Sequence, residues 1–410
     1  MIASEMSAQR GVLLCLFGQF VLVGVMLASP LFLLAQSNGN APPASSPSEV
    51  HKSWWRDITA DGFMSLSYTY NTNDPIPRLN QFRVFDFNDD DPQLDVAQLV
   101  IQHPVAESGQ FGFRLNMIAG SGVPEITAAY GMFRDTHTGI AHHFDIPELY
   151  LSYVVPVGKG LRFDLGKFVT PFGYEVIGGY DGYNDNFSRG FTFGYGIPFT
   201  HTGVKAGYSF TSRISGAAFL TNGCDAVSRL NGGVTAIAQI TAVTSRTTNV
   251  SFTFLHGPEK PHNDHDQRSL YELTGSWKVL PRLNFGFDGL YADQDHAASN
   301  GSDAIWKGLA GYSKYNFTKE FSLAFRGEVF ADIGGSRTGT SQTLRGFTLT
   351  PEYVLPARLS RLKSELRHFD GKFVTRGEFR KDFSDQNTFR QGTGFTNHQF
   401  TTAVNLIYLF

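Results

Sequence analysis

Short segments in which apolar and polar residues alternate recur from Asp61 to the last residue of the chain. In the stretch FSLAFRGEVFAD, Phe325 and Val329 fall on one face of an extended strand, and Arg326 and Glu328 fall on the other. Successive side chains of a strand point to opposite faces, so each such segment predicts a strand with one apolar face. We count about sixteen segments of about 10 to 14 residues. They begin near residues 61, 92, 110, 145, 160, 200, 212, 235, 246, 267, 281, 304, 319, 343, 371 and 397.

The connections between these segments alternate in length. The stretches 71–91, 120–144 and 170–199 are long. Spanning barrels have long loops on the outer side and tight turns on the periplasmic side, whereas a soluble sandwich or propeller has no reason to alternate. We therefore expect an all-β fold, a transmembrane antiparallel β-barrel of about 16 strands, within a range of about 14 to 18. Very short links lie near Pro104, Gly158, Ser212, Arg246, Pro281 and Lys319.

Composition agrees with strands that meet lipid on one face only. Charged residues make up 17% of the chain, against about 25% in typical soluble domains. Aromatic residues make up 14%, with 37 Phe. The net charge is −3 and no basic run occurs, so nucleic acid is not an expected partner.

The first 35 residues have the pattern of a secretory signal peptide. Arg10 precedes an apolar run that ends at Ala35, and a polar stretch rich in Pro and Ser follows. We expect a signal peptide over 1–35, a flexible periplasmic linker over 36–60 and the barrel over 61–410. An uncleaved inner-membrane anchor is the alternative. Cys15 lies in the leader, so Cys224 would be the single cysteine of the mature chain and no intrachain disulfide is expected.

One connection breaks the alternation of lengths. Residues 357–370, ARLSRLKSELRHFD, stand where a tight turn is expected. A short periplasmic helix, an extension of the flanking strands and two additional strands all remain open.

The last segment, NHQFTTAVNLIYLF, has an apolar residue at almost every second position and ends in an aromatic residue. Val404, Leu406, Tyr408 and Phe410 share one face with Phe400. This pattern resembles the recognition signal for assembly of outer-membrane barrels. We expect Tyr408 and Phe410 to serve as the assembly signal, with the barrel-assembly machinery and outer-membrane lipid as partners.

The middle of the chain resembles the OmpL-like β-barrel porin family. The stretches that carry the resemblance are KFVTPFGYEVIGGYDGYNDNFSRGFTFGYGIPFTHTGVKAGYSF and ISGAAFLTNGCD, with GEFRKDFS further on. Most of residues 55–410 are covered. Family members often have Trp where this chain has Cys224, and the segment 357–370 is also atypical. The resemblance implies a porin of the Gram-negative outer membrane, for which a homo-trimer is a common assembly, and it supplies no catalytic residues.

Closing sixteen strands leaves an aqueous channel. On the predicted inner face, basic and acidic residues balance, seven against seven. Since a wall of one sign would select counter-ions, we expect a channel for passive diffusion of small hydrophilic solutes with weak ion selectivity. A substrate-preferring channel for sugars, peptides or anions is the alternative, and simple pairing across strands would equally explain the charges. The predicted pore-lining residues are Arg114, Arg162, Lys205, Lys278, Arg326, Arg376 and Arg380, and Glu148, Asp164, Glu272, Asp288, Glu328, Glu352 and Glu378.

The stretch 170–199 is a candidate constriction loop. It is long and rich in Gly, Tyr and Phe, and it contains Glu175, Asp181, Asp185 and Arg189. We expect it to fold inward and narrow the pore. A surface loop packed on its neighbours is the alternative.

Two groups of His and Asp invite comparison with metal sites, because imidazole and carboxylate together bind divalent ions. Both lie in predicted outer loops, where a solvated polar tip is the ordinary explanation, so no metal or cofactor is expected. The chain has no G-x-S-x-G elbow, and we expect no enzymatic activity. The two groups are His262, Asp264, His265 and Asp266, and His142, His143 and Asp145.

Overall fold

The computed structural model describes residues 57–105, 107–123, 132, 142–179, 182–355 and 371–410. The predicted signal peptide, most of the predicted linker and the segment 357–370 lie outside these residues. Within the described residues, no helix is long and apolar enough to cross a membrane.

Sixteen strands of the described chain form one closed antiparallel barrel, which confirms the predicted fold. A separate hairpin, β16 (Phe389–Gln391) and β17 (Gly394–Thr396), belongs to the last outer connection. The barrel strands are β1 (Thr59–Asn71), β2 (Asp91–His103), β3 (Phe111–Ala119), β4 (Phe144–Val155), β5 (Leu161–Val169), β6 (Thr200–Ser209), β7 (Ile214–Thr221), β8 (Thr235–Ser245), β9 (Thr248–Lys260), β10 (Asn263–Leu280), β11 (Leu283–Gln294), β12 (Ala304–Asn316), β13 (Phe321–Ile333), β14 (Gln342–Val354), β15 (Lys372–Ser384) and β18 (His398–Leu409).

The barrel closes between its first and last strands. β1 pairs with β18 in a register that joins Phe63 to Leu409 and Asn71 to Thr401. Beyond β18, the backbone N–H of Gly62 donates to the carbonyl oxygen of Phe410 at 2.8 Å. Every wall strand therefore has two neighbours, and no open sheet edge would face lipid.

The two faces of the wall differ in polarity, as β13 illustrates. Phe325 and Val329 point outward and are 43% and 36% exposed, whereas Arg326 and Asp332 point inward and are fully buried. Apolar residues thus face outward and polar residues face the interior. This is the reverse of a soluble barrel and the arrangement that a spanning barrel requires.

The two ends of the barrel carry different connections. The tight turns at 156–160, 210–213, 246–247, 281–282 and 317–320 lie at one end, which is the periplasmic end by the rule for such barrels. Stacked aromatic rings mark this end, as expected at a membrane interface. The ring centroids of Phe111 and Tyr153 are 4.3 Å apart, and those of Phe373 and Tyr408 are 4.4 Å apart.

One outer connection is shorter than the sequence predicts. Only Pro261 and His262 separate β9 from β10, because β10 runs for 18 residues and is the longest strand described. The tract KPHNDHDQ therefore lies at the tip of a long hairpin instead of in an extended loop. Its Asp266 is paired with Lys260, at 2.7 Å between Oδ2 and Nζ.

Candidate channel and its constriction

The connection 170–199, which follows β5, runs inside the barrel. At its start, the backbone N–H of Gly173 donates to Oε2 of Glu272 at 2.8 Å, and that of Tyr174 donates to Oδ2 of Asp288 at 3.3 Å. Glu272 and Asp288 lie on the inner face of β10 and β11. The first part of the loop is therefore bound to that side of the wall.

The middle of the loop reaches the opposite side. Gly179 lies so close to β2 that an added Cβ would stand 1.9 Å from Oε1 of Gln98, and its φ of +134° also favours glycine. Gly179 and Gly182 exchange two backbone hydrogen bonds of 3.1 Å, so the two halves of the loop lie side by side here. Asn184 bonds to both the N–H and the carbonyl oxygen of Val176, at 2.8 and 2.7 Å. These contacts form a narrow tip directed at β2.

The returning half is bound to β14 and β15. Asn186 donates from Nδ2 to Oγ1 of Thr350 at 2.8 Å. The backbone N–H groups of Phe187 and Ser188 donate to the two carboxylate oxygens of Glu378, at 2.6 and 3.0 Å. Hydrogen bonds from N–H groups to a charged carboxylate are stronger than neutral ones, so this contact fixes the backbone of the loop.

The loop then forms one short helix, α1 (Phe191–Gly196), packed against β11, β12 and β13. The backbone N–H of Phe191 donates to Oε2 of Glu328 at 2.6 Å. Phe191 and Phe193 are buried in an apolar cluster with Trp306 and Phe330 of the wall. Apolar side chains of the loop and the wall therefore pack together inside the barrel, next to charged side chains of the wall.

Two arginines of the wall complete this attachment. Nη1 of Arg326 donates to Oε1 of Glu175 in the loop at 2.6 Å, and Nη1 of Arg380 donates to the carbonyl oxygen of Arg189 at 2.6 Å. Both arginines are fully buried. Since a buried charge is costly unless it is paired, these contacts hold both the loop and the wall in place.

The predicted pore-lining residues separate into two groups. The first group lies beneath the loop and consists of Arg326, Glu328, Glu378, Arg380, Glu272 and Asp288. Arg162 and Lys205 stand nearer the periplasmic end, where their side chains are 39% and 36% exposed and both approach Asp164. Most predicted charges therefore occur as pairs, while their role in lining an aqueous passage stays a prediction. Further pairs are Arg114 with Glu148 at 2.6 Å, Arg326 with Glu328 at 3.2 Å, and Glu352 with Lys314, which was not predicted, at 3.0 Å.

Lys278 is exposed near the periplasmic end of β10, on the same strand face as Glu272. Of the candidate constriction residues, Glu175, Asp185 and Arg189 are in the part of the loop inside the lumen, and Asp181 lies outside the described residues.

A second inward loop, 72–90, was not predicted. Its Arg83 donates from Nη2 to Oδ2 of Asp382 on β15 at 2.8 Å. Val84 approaches Gly194 of α1, where an added Cβ would lie 2.8 Å from its methyl carbon. Phe85 packs on Phe193, with ring centroids 6.5 Å apart. The apolar residues around Arg83 in an otherwise polar connection are the signal that could have revealed this docking.

A cavity of about 480 Å³ lies between loop 170–199 and the inner face of β1 to β4. Ser65, Asp95, Gln98 and Asn116 line it on the wall side. The sequence reading also missed Asp95, although it stands between Leu94 and Val96 in a strand, so alternation places it on the inner face.

The His and Asp groups have ordinary protein partners. Asp145 is buried and its Oδ2 lies 3.0 Å from Nζ of Lys167. Among the residues that the structure describes, no group of three or more His, Cys, Asp or Glu side chains is placed to hold a metal ion. Cys224 is buried in an outer connection, and burial raises the pKa of its thiol well above its usual value.

A closed antiparallel sheet with an apolar outer surface and a charged, loop-filled interior defines a membrane-spanning β-barrel. Residues 57–410 match the family described as "Putative beta-barrel porin-2, OmpL-like", and the chain belongs to this family. It is therefore a channel-forming barrel of the Gram-negative outer membrane. No curated protein matches the sequence.

Several solved outer-membrane proteins share this fold at low sequence identity. The outer membrane channel DcaP of Acinetobacter baumannii has a TM-score of 0.55 and 10% identity, over 86% of this chain and 97% of that one. The anion-selective porin from Comamonas acidovorans has a TM-score of 0.54 and 10% identity, over 86% and 99%. The trimer form of in-vitro folded OmpT from Vibrio cholerae has a TM-score of 0.51 and 11% identity, over 86% and 99%.

Proposed function

We propose that this barrel is a passive channel for small hydrophilic solutes and that loop 170–199 is its constriction. The observation that carries the proposal is the course of the loop, which crosses the lumen between carboxylates of β10 to β15 and Gln98 of β2. A loop attached in this way narrows the lumen to the cavity beside β1 to β4, whose volume of about 480 Å³ suits small solutes.

Weak ion selectivity is part of the proposal. The inner wall carries both signs of charge, and many of its charges are paired, as in Arg162 with Asp164 at 2.8 Å and Arg114 with Glu148 at 2.6 Å. Paired charges produce less net field along a passage than a ring of one sign, which supports weak discrimination between cations and anions.

The surroundings of the barrel follow from its outer face. We propose that outer-membrane lipid covers the apolar belt and that Tyr408 and Phe410 direct assembly. A homo-trimer is proposed on the likeness to OmpT, for which a trimer form is known. A catalytic role is not proposed.

Excision of the loop tip tests the constriction. Val176 and Asn184 already bond to each other, so joining them after removal of residues 177–183 leaves the rest of the loop attached. In planar bilayers, we expect single-channel conductance to rise by at least about twofold, because the segment that reaches Gln98 is gone.

A shorter deletion in another outer connection provides the control. Residues 299–301 lie in a different outer connection, and their removal should leave conductance unchanged. Wild-type conductance in the 177–183 deletion would contradict the constriction. The absence of any channel activity in the wild-type protein would contradict the function as a whole.

A further inference from the structure

Six charged side chains of the described chain line the cavity beside β1 to β4, and three of the four acids among them are neutralised by a neighbouring base. These three would offer little to a solute, because each already has a cation at salt-bridge distance. The pairs are Glu148 with Arg114 at 2.6 Å, Glu175 with Arg326 at 2.6 Å and Asp185 with Lys314 at 2.8 Å.

Asp95 is the exception among the acids. It is 6% exposed, and none of the basic groups in the described chain forms an ion pair with it. It accepts hydrogen bonds from the hydroxyls of Ser65 at 2.8 Å and Ser67 at 2.6 Å, and from Nδ2 of Asn405 at 3.4 Å. Hydroxyl and amide groups carry no net charge, so the carboxylate is hydrogen-bonded but not neutralised.

Two arginines that line the cavity are the basic counterparts of Asp95, because they also lack an oppositely charged partner in the part of the chain that the structure describes. Arg376 donates to Oδ1 of Asn405 at 2.7 and 3.0 Å and to the carbonyl oxygen of Asn184 at 2.6 Å. Arg189 donates to backbone carbonyl oxygens of its own loop, including that of Val176 at 3.1 Å. Within the described residues, neither guanidinium has a carboxylate partner.

A single amide separates the unpaired carboxylate from one unpaired guanidinium. The Asn405 side chain donates to Asp95 through Nδ2 and accepts from Arg376 through Oδ1. Opposite charges are thus held side by side on the wall of a cavity that has room for a small molecule. A solute that carries both an ammonium and a carboxylate would meet a partner for each, whereas a neutral or singly charged solute would leave at least one wall charge unmatched.

We infer that this cavity is a selectivity site for small zwitterions of the α-amino acid class, with Asp95 facing the ammonium group and Arg376 and Arg189 facing the carboxylate. The inference rests on the proposed channel function and specifies its preferred solute. The site would favour entry through weak and reversible contacts, as flux through a channel requires.

The test compares two solutes of identical composition. Glycine is a zwitterion at neutral pH, and its isomer glycolamide is uncharged. In swelling assays on proteoliposomes that contain the full-length barrel, glycine should enter at least about threefold faster than glycolamide. Equal rates, or faster entry of glycolamide, would overturn the inference and leave the channel function standing. Failure of both solutes to enter would contradict the channel itself.

Variants assign the effect to the named groups. Asp95→Asn and Arg376→Gln should each bring the ratio of the two rates close to one, because each removes the partner of one charge of glycine. Arg189→Gln, on the loop instead of the wall, should lower the ratio and remains informative if a wall variant fails to assemble.

The matched control is Asp332→Asn. Asp332 is also a fully buried inner-wall aspartate, but it accepts hydrogen bonds from the backbone N–H groups of Arg337 and Thr338 and lies outside the cavity. The Asp332→Asn variant should show the wild-type ratio of glycine entry to glycolamide entry. If Asp95→Asn, Arg376→Gln and Arg189→Gln all keep the wild-type ratio, the inference is wrong.

Discussion

The two sides of the lumen use their charges differently. On β10 to β15, wall carboxylates such as Glu378 and Glu328 accept hydrogen bonds from backbone N–H groups of loop 170–199, and buried Arg326 pairs with Glu175 of the same loop. On β1 to β4, Asp95 faces a cavity and, among the residues that the structure describes, bonds only to uncharged side chains. One side anchors loop 170–199, and the other leaves a charged side chain at the border of the cavity.

The difference shows that polarity alone does not define a pore lining. Both sides present charged residues to the interior, yet loop backbone occupies one side and open volume lies beside the other. What decides between them is whether a loop supplies partners for the wall. Changing one anchoring charge at a time tests whether contacts with the loop account for this difference.

Arg326→Leu should have the largest effect on stability. The substitution leaves Glu175 and Glu328 buried with a cation removed, and breaking a buried ion pair costs about 3–5 kcal/mol. We expect a lower unfolding temperature in detergent, read from the heat-dependent shift of the folded band on gels, and a larger conductance as the loop detaches.

Arg345→Leu is the control for this change. Arg345 is exposed on the neighbouring strand β14, so its loss should leave both readings close to wild type. If the two variants unfold at the same temperature, the buried arginine does not anchor the loop.

Glu378→Gln should have an intermediate effect. The amide oxygen of the glutamine can still accept a hydrogen bond from one of the two backbone N–H groups, of Phe187 or of Ser188. The other N–H group loses its acceptor, and the negative charge of the carboxylate is lost. A lost hydrogen bond to a charged group costs about 1.5–3 kcal/mol. Urea unfolding followed by tryptophan fluorescence would measure the change. A loss as large as that of Arg326→Leu would mean that the wall acid, and not the arginine, dominates the attachment.

Arg162→Gln should have the smallest effect. Arg162 is partly exposed near the periplasmic end, and Asp164 keeps Lys205 as a second neighbour at 3.5 Å. Exposed ion pairs contribute about 0–1 kcal/mol, so stability should hardly change. The reversal potential in a salt gradient should shift slightly toward cations, because one positive charge leaves the passage. An unchanged reversal potential would place this end of the wall outside the ion path.

Much of the fold could be predicted because it depends on a local property. Alternation of side chains along a strand is visible residue by residue, so β13 could be divided into an outer and an inner face from its sequence alone. Turn length is equally local, and the alternation of long and short connections indicated which end is periplasmic. The inner position of Arg326, Glu328 and Glu378 follows from the same pattern.

The inward course of loop 170–199 was predicted, but the contacts that hold the loop inside the lumen could not be predicted in the same way. Gly173 meets Glu272 across 99 positions of the chain, and Phe187 meets Glu378 across 191. No periodic pattern reports such distant contacts, and the inward docking of Arg83 was missed for this reason.

The sequence by itself therefore determined the strands, their approximate number and the polarity of each face, because these follow from steric alternation and from the exclusion of unpaired backbone groups from lipid. Only the tertiary structure decided which inward charges are covered by a loop and which border a cavity. That outcome depends on where loops 72–90 and 170–199 form hydrogen bonds and ion pairs with the inner wall.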